Sequence, residues 1–129
     1  MLNKGLRDEE NEKINNVLAT LISIVFVPDL WSEEDRKNIE KQLAALNLTM
    51  QNLVDFDVNA LTNHLSPFQL DWKNQEYFAD FLVGLSGKIQ DQKTSLLEKS
   101  IGYYTYIQDE SKTFSFDIFN KINAAKAKL

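Results

Sequence analysis

Between residues 71 and 122, apolar side chains recur at helical spacing with few breaks. That periodicity restricts the chain to helix packed on helix, because positions three and four apart fall on one face of an α-helix. Asp71 is a good N-cap, and Trp72, Tyr77, Phe78, Phe81, Leu82 and Leu85 are assigned inward behind it. Gly87 is placed to end this helix in the left-handed conformation. Residues 88–109 read as one long helix with Ile89, Leu96, Leu97, Ile101, Tyr104 and Ile107 inward, although the polar run 90–95 moves its start toward Thr94. Gly102 inside it costs about 1 kcal/mol relative to Ala and marks a close helix–helix approach. A turn at 111–115 leads to a last helix, capped by Ser115, with Phe116, Phe119 and Ile122 inward.

The first half continues the pattern. Asp8, Glu9, Glu10 and Glu12 complement the positive end of a helix over 8–27. Ile14, Val17, Leu18, Leu21 and Val25 form its stripe, widened by Ile22, Ile24 and Phe26. The β-branched stretch 22–27 has strand character, but no second strand candidate exists to pair with it. Pro28 and Asp29 end the element. Ser32 and Asp35 then form a capping box, Ile39, Leu43 and Leu46 make an apolar face, and Asn47 is a C-cap. Residues 48–56 form a short helix or an ordered loop. Asp57 caps a short helix over 58–65 with Leu61 and Leu65 inward, limited by Pro67.

The expected fold is therefore all-α: a single compact bundle of five or six helices in one domain over 1–129. Residues 1–7 and 124–129 are expected to fray. The first helix is expected to be the most buried, packed against helices at 72–85 and 96–107. With 4 Gly and 2 Pro, the chain lacks the turn residues of a many-stranded fold.

Several function classes are excluded at this level. A net charge of -5 opposes general nucleic-acid binding. With no Cys there is no disulfide, thiol nucleophile or thiolate metal site, which fits a reducing, cytoplasmic location. The charged start, residues 1–13, does not look like a secretion signal. The apolar run 17–27 is shorter than the roughly 20 residues of a membrane span. Asp55-Phe56-Asp57-Val58-Asn59 opens like a calcium loop, but Ala60 and Ser66 stand where Gly and Glu are needed. Gly87-Lys88 suggests a phosphate loop, but Leu82 and Ile89 stand where Gly and Ser or Thr are needed. His64 is the only histidine and has no partner visible in sequence. No Glu-x-x-His motif is present. The chain is expected to be non-catalytic, without metal or cofactor.

Tyr103, Tyr104 and Tyr106 span well over half a helix circumference, so Tyr103 or Tyr106 is expected to be exposed as an interface anchor. The favoured function is a protein-interaction or scaffold module, with a protein partner or a homodimer through the first helix or the C-terminal aromatics. Two alternatives stand beside it. One is a ligand-binding or catalytic pocket between helices, using His64, Asp57, Tyr77 and Tyr104. The other is an acidic immunity or antitoxin-type protein that neutralises a basic partner.

The hairpin over residues 75–109 resembles a tetratricopeptide-type unit. Tyr77 stands for the first-helix aromatic, Leu97 for the second-helix bulky residue and Ser100 for the small residue after it. In that register Phe81, Gly84 and Lys93 depart from the usual Gly or Ala, Tyr, and Ala, and no second copy at a 34-residue period follows. The resemblance covers at most the C-terminal half. It implies a scaffold or peptide-binding role and no catalytic residues.

Overall fold

The structure, a computed structural model, describes residues 6–27 and 31–129, with side chains from Glu9 onward. Pro28 and Asp29, expected to end the first helix, lie outside the described residues, as do residues 1–5 of the start expected to fray. Among the described residues there are seven α-helices and no strand. They are α1 (Leu6–Val25), α2 (Glu33–Ala44), α3 (Met50–Asp55), α4 (Val58–Leu65), α5 (Trp72–Ser86), α6 (Lys93–Ser111) and α7 (Phe116–Ala127). The count exceeds the expected five or six because the stretch read as a short helix or an ordered loop forms a capped helix, α3, beside the expected one at 58–65. The all-α class holds. No helix among the described residues is long and apolar enough to cross a membrane.

Side-chain caps set most helix starts. Ser32 Oγ accepts from Asp35 N at 3.2 Å while Asp35 Oδ2 accepts from Ser32 N at 3.2 Å. Thr49 and Asn52 repeat this reciprocal pattern before α3, at 3.1 and 2.9 Å. Asp57 accepts from Ala60 N at 2.8 Å, Asp71 from Asn74 N at 2.8 Å and Ser115 from Ile118 N at 3.2 Å. Each such cap is worth about 1 kcal/mol, which matters most for α3 and α4, whose length alone cannot sustain a helix. The calcium-like segment is thus a capped helix start.

The centre of the bundle is α5. It packs on α6 along one side and on α1 along another, while α7 lies on α6 and α2 on α1. Nine of its residues are buried, among them Asn74, Glu76 and Ser86. The expectation that α1 is the most buried helix is therefore corrected. The buried polar groups of α5 had masked its depth. Asn74 Nδ2 donates to Asn15 Oδ1 at 2.6 Å, and Ser86 Oγ donates to the Val83 carbonyl at 2.5 Å. The α1 stripe of Ile14, Val17, Leu18, Leu21 and Val25 is buried as expected. Two glycines allow close approach. A Cβ on Gly84 would meet Val25 Cγ2 at 2.4 Å, and one on Gly102 would meet Val58 Cγ2 at 2.7 Å.

Other expectations need correction. Gly87 ends α5 with φ −76, in the right-handed region. Left-handed backbone falls instead on Asn47, Gln69 and Lys112. Trp72 and Tyr77 are exposed, because Phe78, Phe81, Leu82 and Leu85 fix the inward face and Tyr77 lies about 100° round from Phe78. The tail expected to fray from residue 124 instead continues α7 to Ala127, with Ala125 buried.

Candidate interaction surface

Tyr103 and Tyr106 do not form an exposed face. Tyr103 is 0% exposed, with its ring 5.7 Å from Phe78 and 5.8 Å from Tyr106. Its hydroxyl donates to Gln75 Oε1 at 3.3 Å. Tyr106 is half-buried and meets Trp72 edge-on at 6.3 Å. The circumference argument failed because α6 is covered by α5, α7, α3 and α4 together. Thr105 takes the outward position between the two tyrosines.

The exposed aromatic surface lies a turn later. Phe114, Phe116 and Phe119 are 62%, 75% and 45% exposed. Phe114 is the hub, 4.9 Å from Phe116 at 90° and 5.9 Å from Phe119 at 43°. Lys112, with φ 56, turns the chain out of α6, and Ser115 starts α7. The buried stripe of α7 is Ile118, Ile122 and Ala125, so Phe116 is rotated about 200° from Ile118 and faces outward. The expected inward assignment of Phe116 and Phe119 is thus corrected. The competing i, i+4, i+7 spacing of the aliphatic residues was the signal that would have found the knuckle.

A second feature joins α7 to α5. Lys121 Nζ donates to Glu76 Oε2 at 2.5 Å and Asp80 Oδ2 at 3.1 Å, and Tyr104 Oη donates to Asp80 Oδ1 at 2.5 Å. Burial pushes the Tyr104 phenol well above its usual range, reinforced by the bond to Asp80 and the charges of Asp80 and Glu76. Burial lowers Lys121, but bonds to both carboxylates outweigh it and the net direction is up. Beside this cluster runs a groove of about 310 Å³, walled by Ile22, Phe26, Tyr77, Val83 and Ala124.

The groove brings together two of the four groups expected in a pocket, Tyr77 and Tyr104. The other two serve the backbone elsewhere. Asp57 caps α4, and His64 Nε2 donates to the Leu46 carbonyl at 3.0 Å with its ring 5.7 Å from Phe56. Lys99, unremarked in the sequence, donates to the Leu53 carbonyl at 2.6 Å and to that of Val54, closing the last turn of α3. Among the described residues no cluster of three or more His, Cys, Asp or Glu is placed to hold a metal ion. No buried side-chain nitrogen or oxygen among them lacks a hydrogen-bond partner. Comparison with known protein families, curated proteins and solved structures finds no match.

Proposed function

We propose that this chain is a non-catalytic protein-interaction module whose contact point is the knuckle of Phe114, Phe116 and Phe119. The observation that carries this is three large exposed rings in mutual contact. They expose nearly two whole phenylalanine side chains, on the order of 350 Å² at about 200 Å² per ring. Contiguous apolar patches of that size on a monomer are often functional. Burying it contributes roughly 9 kcal/mol gross at about 25 cal/mol per Å², of the same order as the costs of association, so the patch serves as the anchor within a larger contact. A scaffold role is also what the tetratricopeptide-type resemblance implies, and the absence of Cys fits a cytoplasmic setting.

The test uses the purified chain as bait beside a variant carrying Phe116→Ser and Phe119→Ser. Phe116 is largely exposed and Phe119 about half covered, so the fold should persist with only a modest drop in melting point, which helical circular dichroism checks. A partner bound stoichiometrically by the parent should be lost by the variant. Equal capture by both baits refutes the knuckle.

The groove supports a second reading, a small apolar ligand seated against Tyr77 and Tyr104, because it holds both groups beside apolar walls. A panel of apolar metabolites raising the melting point of the parent but not of Val83→Trp, which fills the groove, would favour it. No shift with any compound counts against it.

A further inference from the structure

The groove of about 310 Å³ beside Tyr104 has two unlike ends. Tyr77, Asp80 and Val83 recur every three residues along α5 and order it from polar to apolar. Phe26 belongs to the apolar end, its ring 3.1 Å from where a Cβ on Gly84 would stand.

Acid outweighs base at the polar end. Glu76 and Asp80 are only 11% and 17% exposed, and they share the single ammonium of Lys121. Lys73 is the other nearby cation, 3.8 Å from Glu76 Oε1, but it is 63% exposed and so screened by water. Lys88, which donates to the Val27 carbonyl, starts about 12 Å beyond Asp80 along α5, further than the roughly 8 Å over which salt lets an exposed charge act. Tyr104 is raised first by burial and further by the charges of Asp80 and Glu76, while Lys121 is raised on balance despite its burial. Both directions are those of a negative local field. The rim already holds one cation in this field, since the Lys73 ammonium also lies 5.2 Å from the centre of the Tyr77 ring.

We infer that the groove takes a small apolar amine, its ammonium against Asp80 and Tyr77 and its hydrocarbon body along Val83, Ile22 and Phe26. The inference rests on the groove reading and names the ligand's chemistry. Asp80 spends one bond on each oxygen, to Tyr104 and Lys121, and carboxylate oxygens accept more than one. A carboxylate ligand of the same shape would meet two like charges for one opposite. At roughly 30 Å³ per non-hydrogen atom the space suits about ten such atoms, the lower end of ligand sites. That fits a free small molecule and is too narrow for a partner helix about 10 Å across.

The experiment is calorimetric titration of the full chain at neutral pH with n-octylammonium, octanoate and 1-octanol, probes of one length and different charge. Octylammonium is expected to bind with a Kd on the order of 0.1–1 mM, ordinary for so few atoms, and about fivefold or more tighter than the other two. Lys73→Met removes the competing rim ammonium and should tighten octylammonium about threefold. Asp80→Asn should weaken it about tenfold, and Val83→Trp should abolish it. Helical circular dichroism checks that each variant folds. n-Butylammonium, with the reach of a lysine side chain, should bind at least about tenfold more weakly, because it leaves the apolar end empty.

Equal affinity for the three probes, indifferent to Lys73→Met and Asp80→Asn, overturns the amine and leaves the groove reading standing. Octanoate binding more tightly than octylammonium makes Lys121 the anchor and overturns the amine in the same way. Octylammonium binding that survives Val83→Trp lies outside the groove and overturns the inference. Butylammonium as tight as octylammonium fits a partner's lysine side chain and overturns the free ligand. No binding by any probe at about 5 mM, several times the expected Kd, overturns the amine and the groove reading together.

Discussion

Adding a methyl group at Gly84 should destabilise the fold, although alanine is the better helix former. The new Cβ would stand 2.4 Å from Val25 Cγ2, 2.9 Å from Val25 Cβ and 3.1 Å from Phe26 Cε2. The Val25 methyl can rotate away, but its Cβ is fixed to the α1 backbone, and Val25 is 3% exposed. Relief therefore requires α1 and α5 to separate by roughly 0.5–1 Å, enough to restore ordinary contact near 3.5 Å. Overpacking of this kind costs about 1–3 kcal/mol, against a gain of about 1 kcal/mol from helix propensity. The expected net loss is up to about 2 kcal/mol. For a domain of this size that lowers the melting point by up to about 8 °C. Val25→Ala alone should cost about 2 kcal/mol through the cavity it leaves. Combined with Gly84→Ala, the loss should fall short of the sum by about 1–2 kcal/mol, because the added methyl enters that cavity. Urea unfolding followed by helical circular dichroism measures all three variants. A Gly84→Ala chain more stable than the parent by about 1 kcal/mol would show that the α1–α5 seam is not tight, and the reasoning would fail.

Further expectations follow from the polar contacts. Tyr103 and Tyr104 hold their phenols above the ordinary 10.0, chiefly through burial. The unfolded chain therefore loses these protons first, and their stabilisation is full below pH 10 and lost as pH rises beyond it. Lys121, also raised from 10.5, adds a loss of the same sign at higher pH. Lys99, lowered mainly by burial, opposes these three. The melting point should fall between about pH 9 and about pH 11, with two tyrosines absorbing at about 295 nm only on unfolding. A flat profile over that range would contradict this. Lys99→Met removes two hydrogen bonds from the ammonium to carbonyls in the last turn of α3, and should cost about 2 kcal/mol and speed amide exchange over residues 50–65 first. Exchange that rises first in α7 would place the tie elsewhere. Tyr104→Phe leaves Asp80 one hydrogen bond short and should cost about 1–2 kcal/mol in thermal melts, and an unchanged midpoint would mean the bond contributes nothing net.

The parts of the fold legible in the sequence were those set by local rules. Ser32, Asp57, Asp71 and Ser115 were readable as caps because a short oxygen-bearing side chain before an apolar run has few other uses. The α1 stripe was readable because five aliphatic residues kept one spacing, and Gly102 because a helix-interior glycine needs a neighbour to justify it. Facing directions around aromatics were not readable. Trp72, Tyr77, Phe116 and Phe119 had been assigned inward for their size, whereas smaller aliphatic residues at helical spacing set the register of both helices. Tyr103 had been assigned outward on the assumption that a helix is covered on one side, and α6 is covered on several. The Glu76–Asp80–Lys121–Tyr104 cluster joins residues that are far apart in the chain, and no local pattern announces it.

The seam between Val25 and Gly84 also has a consequence in time. The two residues are about sixty positions apart, and α1 is made first. At about 5–20 residues per second, its stripe waits several seconds for α5 to follow. In that interval α2 can shield only part of it, while the later helices find their partners almost as they appear, since α5, α6 and α7 pack in chain order. The nascent chain is thus most exposed to misassociation early, through the segment that ends up among its best-buried. A permuted chain that begins at α5 and appends α1 to α4 after α7 would shorten that wait and move the hazard to the end of synthesis.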